Sequence, residues 1–175
     1  MKYVALLRGI NVGGRNMIKM EMLRATLGSL GFENVKSYIN SGNLIFETAK
    51  TVDNELAERI HDAIKKDFDF DISVMVRSMD EIVGLIENNP FVGQFENDKD
   101  LHIIFLREFL SEDQEAILQT HNSENEKIAV RGREIFYLLR ISIIDSVLGK
   151  GFIDKKLKIP ATARNWRTVK KITEI

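Results

Sequence analysis

Short apolar runs and amphipathic spans alternate along the first half of this chain in an order that few architectures satisfy. Lys2 to Leu7 is a β-rich run. A loop follows, and then Met20, Leu23, Leu27 and Leu30 recur at helical spacing. Gly31 stops that helix as a C-terminal cap. Val35 to Ile39 and Leu44 to Glu47 are two short strand-like runs, and Asn40-Ser41-Gly42-Asn43 between them is a strong turn signal. Leu56, Ile60, Ala63 and Ile64 mark a second amphipathic helix. Ile72, Val74 and Val76 alternate with Ser73, Met75 and Arg77, which predicts a strand with one wetter face. The order βαββαβ predicts an α+β fold whose N-terminal part, residues 1–80, is a ferredoxin-like plait.

The remaining residues, 81–175, read as a smaller, less regular mixed α/β subdomain. Met79 to Asn88 is helical and ends before Pro90. Leu101 to Leu106 is an apolar strand, and Ser111 caps a helix reaching to about Gln119. Ile128 to Val130 and Ile135 to Leu139 form a hairpin turned at Arg131-Gly132-Arg133. Helical segments are expected at Ile143 to Leu148 and Ile153 to Lys158, and a basic terminal helix after Thr162. No internal repeat is expected.

Composition narrows the chemistry. The chain carries no cysteine, which excludes disulfides, thiolate catalysis and Cys-ligated zinc, and fits a reducing cytoplasmic location. Its three histidines, His61, His102 and His121, lie far apart, so no metal spacing is present. Asp67, Asp69 and Asp71 lack the glycine and terminal glutamate of a calcium loop. No cofactor is implied. The only apolar run near the start, Tyr3 to Leu7, is broken at Arg8, so no membrane segment is expected. Net charge is −1, which argues against general coating of nucleic acid. That charge is unevenly placed: residues 1–50 carry +4 and residues 151–175 carry +5, against −10 in between.

Two polar loops stand out. If a helix crosses between the first two strands, those strands run parallel, and the turns leaving them open at the same rim. Gly9 to Asn16 then becomes a neighbour of Asn40 to Asn43. The first loop holds Asn11, Gly13 and Gly14, with Arg8 and Arg15 among them. Glycines let backbone N–H groups approach an anion, and arginine forks suit phosphate or carboxylate. The spacing is neither a P-loop nor G-x-G-x-x-G. In the second turn, Asn40, Ser41 and Asn43 also serve ordinary turn formation, and Ser41 lacks a nucleophile-elbow context. On the terminal helix, Arg164, Arg167 and Lys171 share a face, with Asn165 and the only tryptophan, Trp166, beside them.

The same segments carry a resemblance to a known family. Tyr3-Val4-Ala5-Leu6-Leu7-Arg8-Gly9-Ile10-Asn11-Val12-Gly13-Gly14, Tyr38-Ile39-Asn40-Ser41-Gly42-Asn43 and Ala161-Thr162-Ala163-Arg164-Asn165-Trp166-Arg167-Thr168-Val169 resemble three motifs of the domain-of-unknown-function 1697 family, in that family's order. The family often has Gln where this chain has Asn40, and Thr where it has Ala163. The resemblance implies a two-part fold with a plait-like N-terminal half, and it implies no substrate, cofactor or catalytic residue.

Three function classes remain open on these residues. The leading one is binding of a small phosphorylated or carboxylated ligand at Arg8, Asn11, Gly13, Gly14, Arg15, Asn40, Ser41 and Asn43, joined by Arg164, Asn165, Trp166 and Arg167. The others are a nucleic-acid or nucleotide-end binding module, and a protein-interaction or assembly role. Nothing specifies an oligomeric state, and no residue advertises itself as nucleophile or general base.

Overall fold

In a computed structural model, all of residues 1–175 are described, and the chain divides into two compact units. The first comprises Met1–Leu85 together with Lys171–Ile175, and the second comprises Ile86–Lys170. The protein is α+β, with one four-stranded antiparallel sheet in each unit.

The first unit runs β1 (Lys2–Leu7), α1 (Met20–Ser29), β2 (Glu33–Tyr38), β3 (Asn43–Glu47), α2 (Asp53–Phe68), β4 (Val74–Ser78) and α3 (Met79–Glu87). Its strand order is β2-β3-β1-β4, with every neighbouring pair antiparallel. Each helical crossover therefore skips one strand, and two βαβ segments interleave. One sheet face packs Tyr3, Ala5, Leu7, Leu44, Phe46, Val74 and Val76 against Leu23 and Leu27 of α1 and Leu56, Ile60 and Ile64 of α2. Aromatic stacking adds order to this core. The Phe32 and Phe46 rings lie 4.5 Å apart and the Tyr3 and Phe46 rings 5.9 Å apart. The wetter face expected on β4 is absent: Met75 is 1% and Arg77 2% exposed. Alternation in this strand separates two buried faces, and does not separate core from solvent.

The second unit runs β5 (Leu101–Leu106), α4 (Glu112–Gln119), β6 (Glu126–Arg131), β7 (Glu134–Leu139), β8 (Ala161–Asn165) and the first residues of α5 (Trp166–Thr173), whose end from Lys171 is counted with the first unit. Its strand order is β6-β7-β5-β8, again wholly antiparallel. This repeats the first unit with β5 in the place of β1, β6 of β2, β7 of β3 and β8 of β4. The match extends to register. Val4 faces Arg77 as Ile103 faces Arg164, and Leu7 faces Val74 as Leu106 faces Ala161. Leu6 faces Asn43 as Phe105 faces Glu134. Both closing strands carry a buried arginine at the same step. Each donates from its Nη1 to the preceding carbonyl, Val76 or Ala163, at 2.8 Å. Each strand then passes directly into a helix. The repeat thus lies in backbone pairing, where residue identities conceal it.

Two expectations for this unit fail. Ile143 to Leu148 is a set of turns, whereas the helical segment expected from Ile153 is present, as one π-helical turn over Ile153–Leu157. The terminal helix starts at Trp166 and not after Thr162, because residues 161–165 pair with β5. Asn165 then caps the helix, its Oδ1 accepting from the Thr168 N–H at 2.9 Å. Arg164 therefore sits on a strand, so it shares no helix face with Arg167 and Lys171. Ser111 caps α4 as expected, in a reciprocal box with Gln114.

Candidate functional site

In the first unit, the turn leaving β1 and the turn leaving β2 meet at one rim. The Leu7 N–H donates to the Gly42 carbonyl at 2.8 Å, and the Arg8 N–H donates to the Ser73 carbonyl at 3.0 Å. Gly42 permits this approach. Its φ is +79°, and a Cβ built there would lie 2.7 Å from Leu7 Cβ and 3.0 Å from Ile10 Cδ1.

Asn11 fastens the two turns together. Its Nδ2 donates to the Ile18 and Asn40 carbonyls, both at 2.9 Å, and its Oδ1 accepts from the Ile18 N–H at 2.8 Å. The glycine loop folds back on itself between these points. The Arg15 N–H donates to the Val12 carbonyl at 3.0 Å, and Asn16 Nδ2 donates to the Gly9 carbonyl at 3.1 Å. Gly9, Asn11, Gly13, Gly14 and Asn16 all have positive φ. Alternation of left-handed with ordinary residues turns backbone N–H groups to one side. Gly13, Gly14 and Arg15 are exposed at the tip, while Arg8 is half-buried.

A groove of about 650 Å³ opens beside this loop, lined by Asn11, Met17, Ile18, Lys19, Met20, Glu21 and Asn40. Its polar edge includes Lys19, which precedes α1 without capping it through its side chain. Ser41 and Asn43 hold the second turn: Asn43 Nδ2 donates to the Tyr38 carbonyl at 3.0 Å and to Ser41 Oγ at 3.2 Å. Asn43 is fully buried.

Of the residues singled out from the sequence, Asn11 and Asn40 line this groove, whereas Arg8, Gly13, Gly14, Arg15, Ser41 and Asn43 do not; Met17, Ile18, Lys19, Met20 and Glu21 were missed. These residues read as the opening of an amphipathic helix. The available signal was two methionines flanking the helix start immediately after the glycine loop.

Arg164, Asn165, Trp166 and Arg167 belong to the second unit. Arg164 is buried, and its Nη1 also donates to Thr162 Oγ1 at 2.8 Å. Burial pulls its pKa down to about 10. Trp166 is 6% exposed, with its ring 6.4 Å from that of Phe136, while Arg167 is exposed. Asn165 spends its side-chain oxygen on the α5 cap. No group of three or more His, Cys, Asp or Glu residues is arranged to hold a metal. No helix is long and apolar enough to cross a membrane.

Fold and site together define an α+β protein of two like-wired units, one of which carries a loop-lined groove. The family model described as "Protein of unknown function (DUF1697)" matches residues 1–136, and the chain belongs to that family. Among solved structures it is similar to the conserved bacterial protein SP0830 from Streptococcus pneumoniae. The two share 29% identity and a TM-score of 0.80, over 99% of this chain and 97% of that one. No curated protein matches the chain.

Proposed function

We propose that this protein binds a small anionic ligand, phosphorylated or carboxylated, in the groove between the glycine loop and the Asn40 turn. The observation that carries this reading is the comparison of one connection in the two units. In the second unit, the link from β5 to α4 is made by residues 107–111, which contain no glycine or asparagine. In the first unit, the same link takes residues 8–19, with three glycines and two asparagines. The wiring of the fold does not need the longer loop, so that loop is an addition with its own purpose. Its positive-φ residues, and Lys19 as the one cation of the groove lining, are chemistry that suits an anion; Arg8 and Arg15 belong to the same loop but lie outside that lining. The groove falls within the size range of small-molecule sites.

A thermal-shift screen of phosphorylated and carboxylated metabolites tests this. Ligands that bind only the folded state raise the melting temperature. A hit is expected in the wild type, weakened in Lys19→Glu. Flat melting curves at millimolar ligand would count decisively against the proposal.

A further inference from the structure

We infer that the ligand of this groove carries one anionic head on a compact apolar body. This rests on the anion-binding reading above and narrows it to a substrate class. Four features of the groove point the same way.

Its walls are apolar over much of their extent. Met17 is 62% exposed, Met20 is half-buried, and Ile18 forms part of the buried lining. Exposed thioether side chains adapt to flat or branched apolar guests and contact aromatic rings favourably.

The polar atoms that remain for a ligand are few. Both N–H groups of the Asn11 amide are spent on Ile18 and Asn40, so Asn11 is a wall and a fastener. Lys19 is the one cation in the lining. A single positive side chain suits a single head.

The volume is also too large for a bare oxyanion. A groove of about 650 Å³ holds a body of many heavy atoms, which a lone phosphate leaves mostly to water.

Finally, Glu21 lines the same groove. A chain of phosphoryl groups would bring further negative charge towards that carboxylate, and like charges at short range repel. Polyphosphates are therefore disfavoured, and a carboxylate or phosphomonoester on an aryl or branched alkyl body is favoured.

Isothermal titration of the full chain with four probes tests the inference: inorganic phosphate, phenyl phosphate, 3-phenylpropionate and ATP. One of the two aryl anions is expected to bind roughly tenfold or more tightly than inorganic phosphate and than ATP, the gain coming from apolar burial. Which aryl anion binds better identifies the head. Met17→Ser, an exposed change that leaves the core intact, is expected to weaken the aryl anion about threefold or more and to leave phosphate unchanged. If phosphate binds and neither aryl anion improves on it, the apolar-body inference fails while anion binding stands. Tighter binding of ATP likewise overturns the inference alone. If no probe binds, the anion-binding reading falls, and this inference falls with it.

Discussion

The two units share their wiring and differ in what fills it. Both place four antiparallel strands in the same order and register, and both carry a buried arginine as the penultimate residue of the strand that runs into a helix. The first unit covers one sheet face with two regular helices, α1 and α2. The second replaces the second helix by turns and a π-helical turn, which bury Phe152, Ile153, Leu157 and Ile159 against Tyr137 and Leu139. A shared frame thus tolerates a regular or an irregular crossover, provided that apolar anchors reach the sheet. It also separates necessity from addition. What both units have belongs to the frame, and what one unit alone has, such as the glycine loop, needs another reason.

Three experiments would break or sharpen that comparison. The largest expected effect is at the hairpin glycines. Gly42→Ala combines a left-handed backbone with a 2.7 Å clash, and is expected to cost roughly 2–5 kcal/mol by urea unfolding. Gly132→Ala in the second unit has φ +60° but no atom nearer than 3.7 Å, so only about 1–2 kcal/mol is expected. Equal losses would show that backbone strain alone governs both turns.

The next effect is at matched core positions. Phe46 in β3 and Tyr137 in β7 take the same step of their strands. The Tyr137 hydroxyl donates to Glu126, which also accepts from the Val147 N–H at 3.3 Å. Burial first, and then that bond and its charge, push the Tyr137 pKa up. Tyr137→Phe makes the second core resemble the first, but leaves a buried carboxylate short of one donor. A loss of about 1–3 kcal/mol is expected. No loss would mean that Glu126 finds a substitute.

The smallest effect depends on pH. Tyr3 and His102 occupy the same step of β1 and β5, and burial holds His102 below its ordinary value of 6.5, against the opposing pull of Asp100. Above that value the ring is neutral in both folded and unfolded chains, and contributes nothing to the balance. As pH falls through 6.5, the unfolded chain takes up the proton first, so stability declines until the folded-state pKa is passed. Unfolding midpoints measured between neutral and mildly acidic pH should fall in the wild type and fall less in His102→Gln. Identical profiles would remove His102 from the account.

The first unit was legible in the sequence because its signals are local. Leu23, Leu27, Leu56 and Ile60 carry a clean helical period, and Gly31 and the Asn40 turn punctuate it. The meeting of the two polar turns also followed, from chain direction alone. The second unit resisted because its strands are defined by partners far away in the chain. Ala161-Thr162-Ala163-Arg164-Asn165 has little strand character, and becomes one only by pairing with β5. The same cause hid the repeated strand order, since Arg77 and Arg164 are equivalent only through Val4 and Ile103. In the groove, Met17 and Lys19 were hidden by their helical neighbourhood, where an exposed side chain looks like ordinary surface.

Asn11 has one more effect. With its amide saturated by Ile18 and Asn40, the mouth beside it is braced before any visitor arrives. A molecule entering there spends little on stilling a mobile loop, so more of its contact energy survives as affinity. The Ile18 amide, pinned by the same side chain, should exchange its proton slowly even in the empty protein.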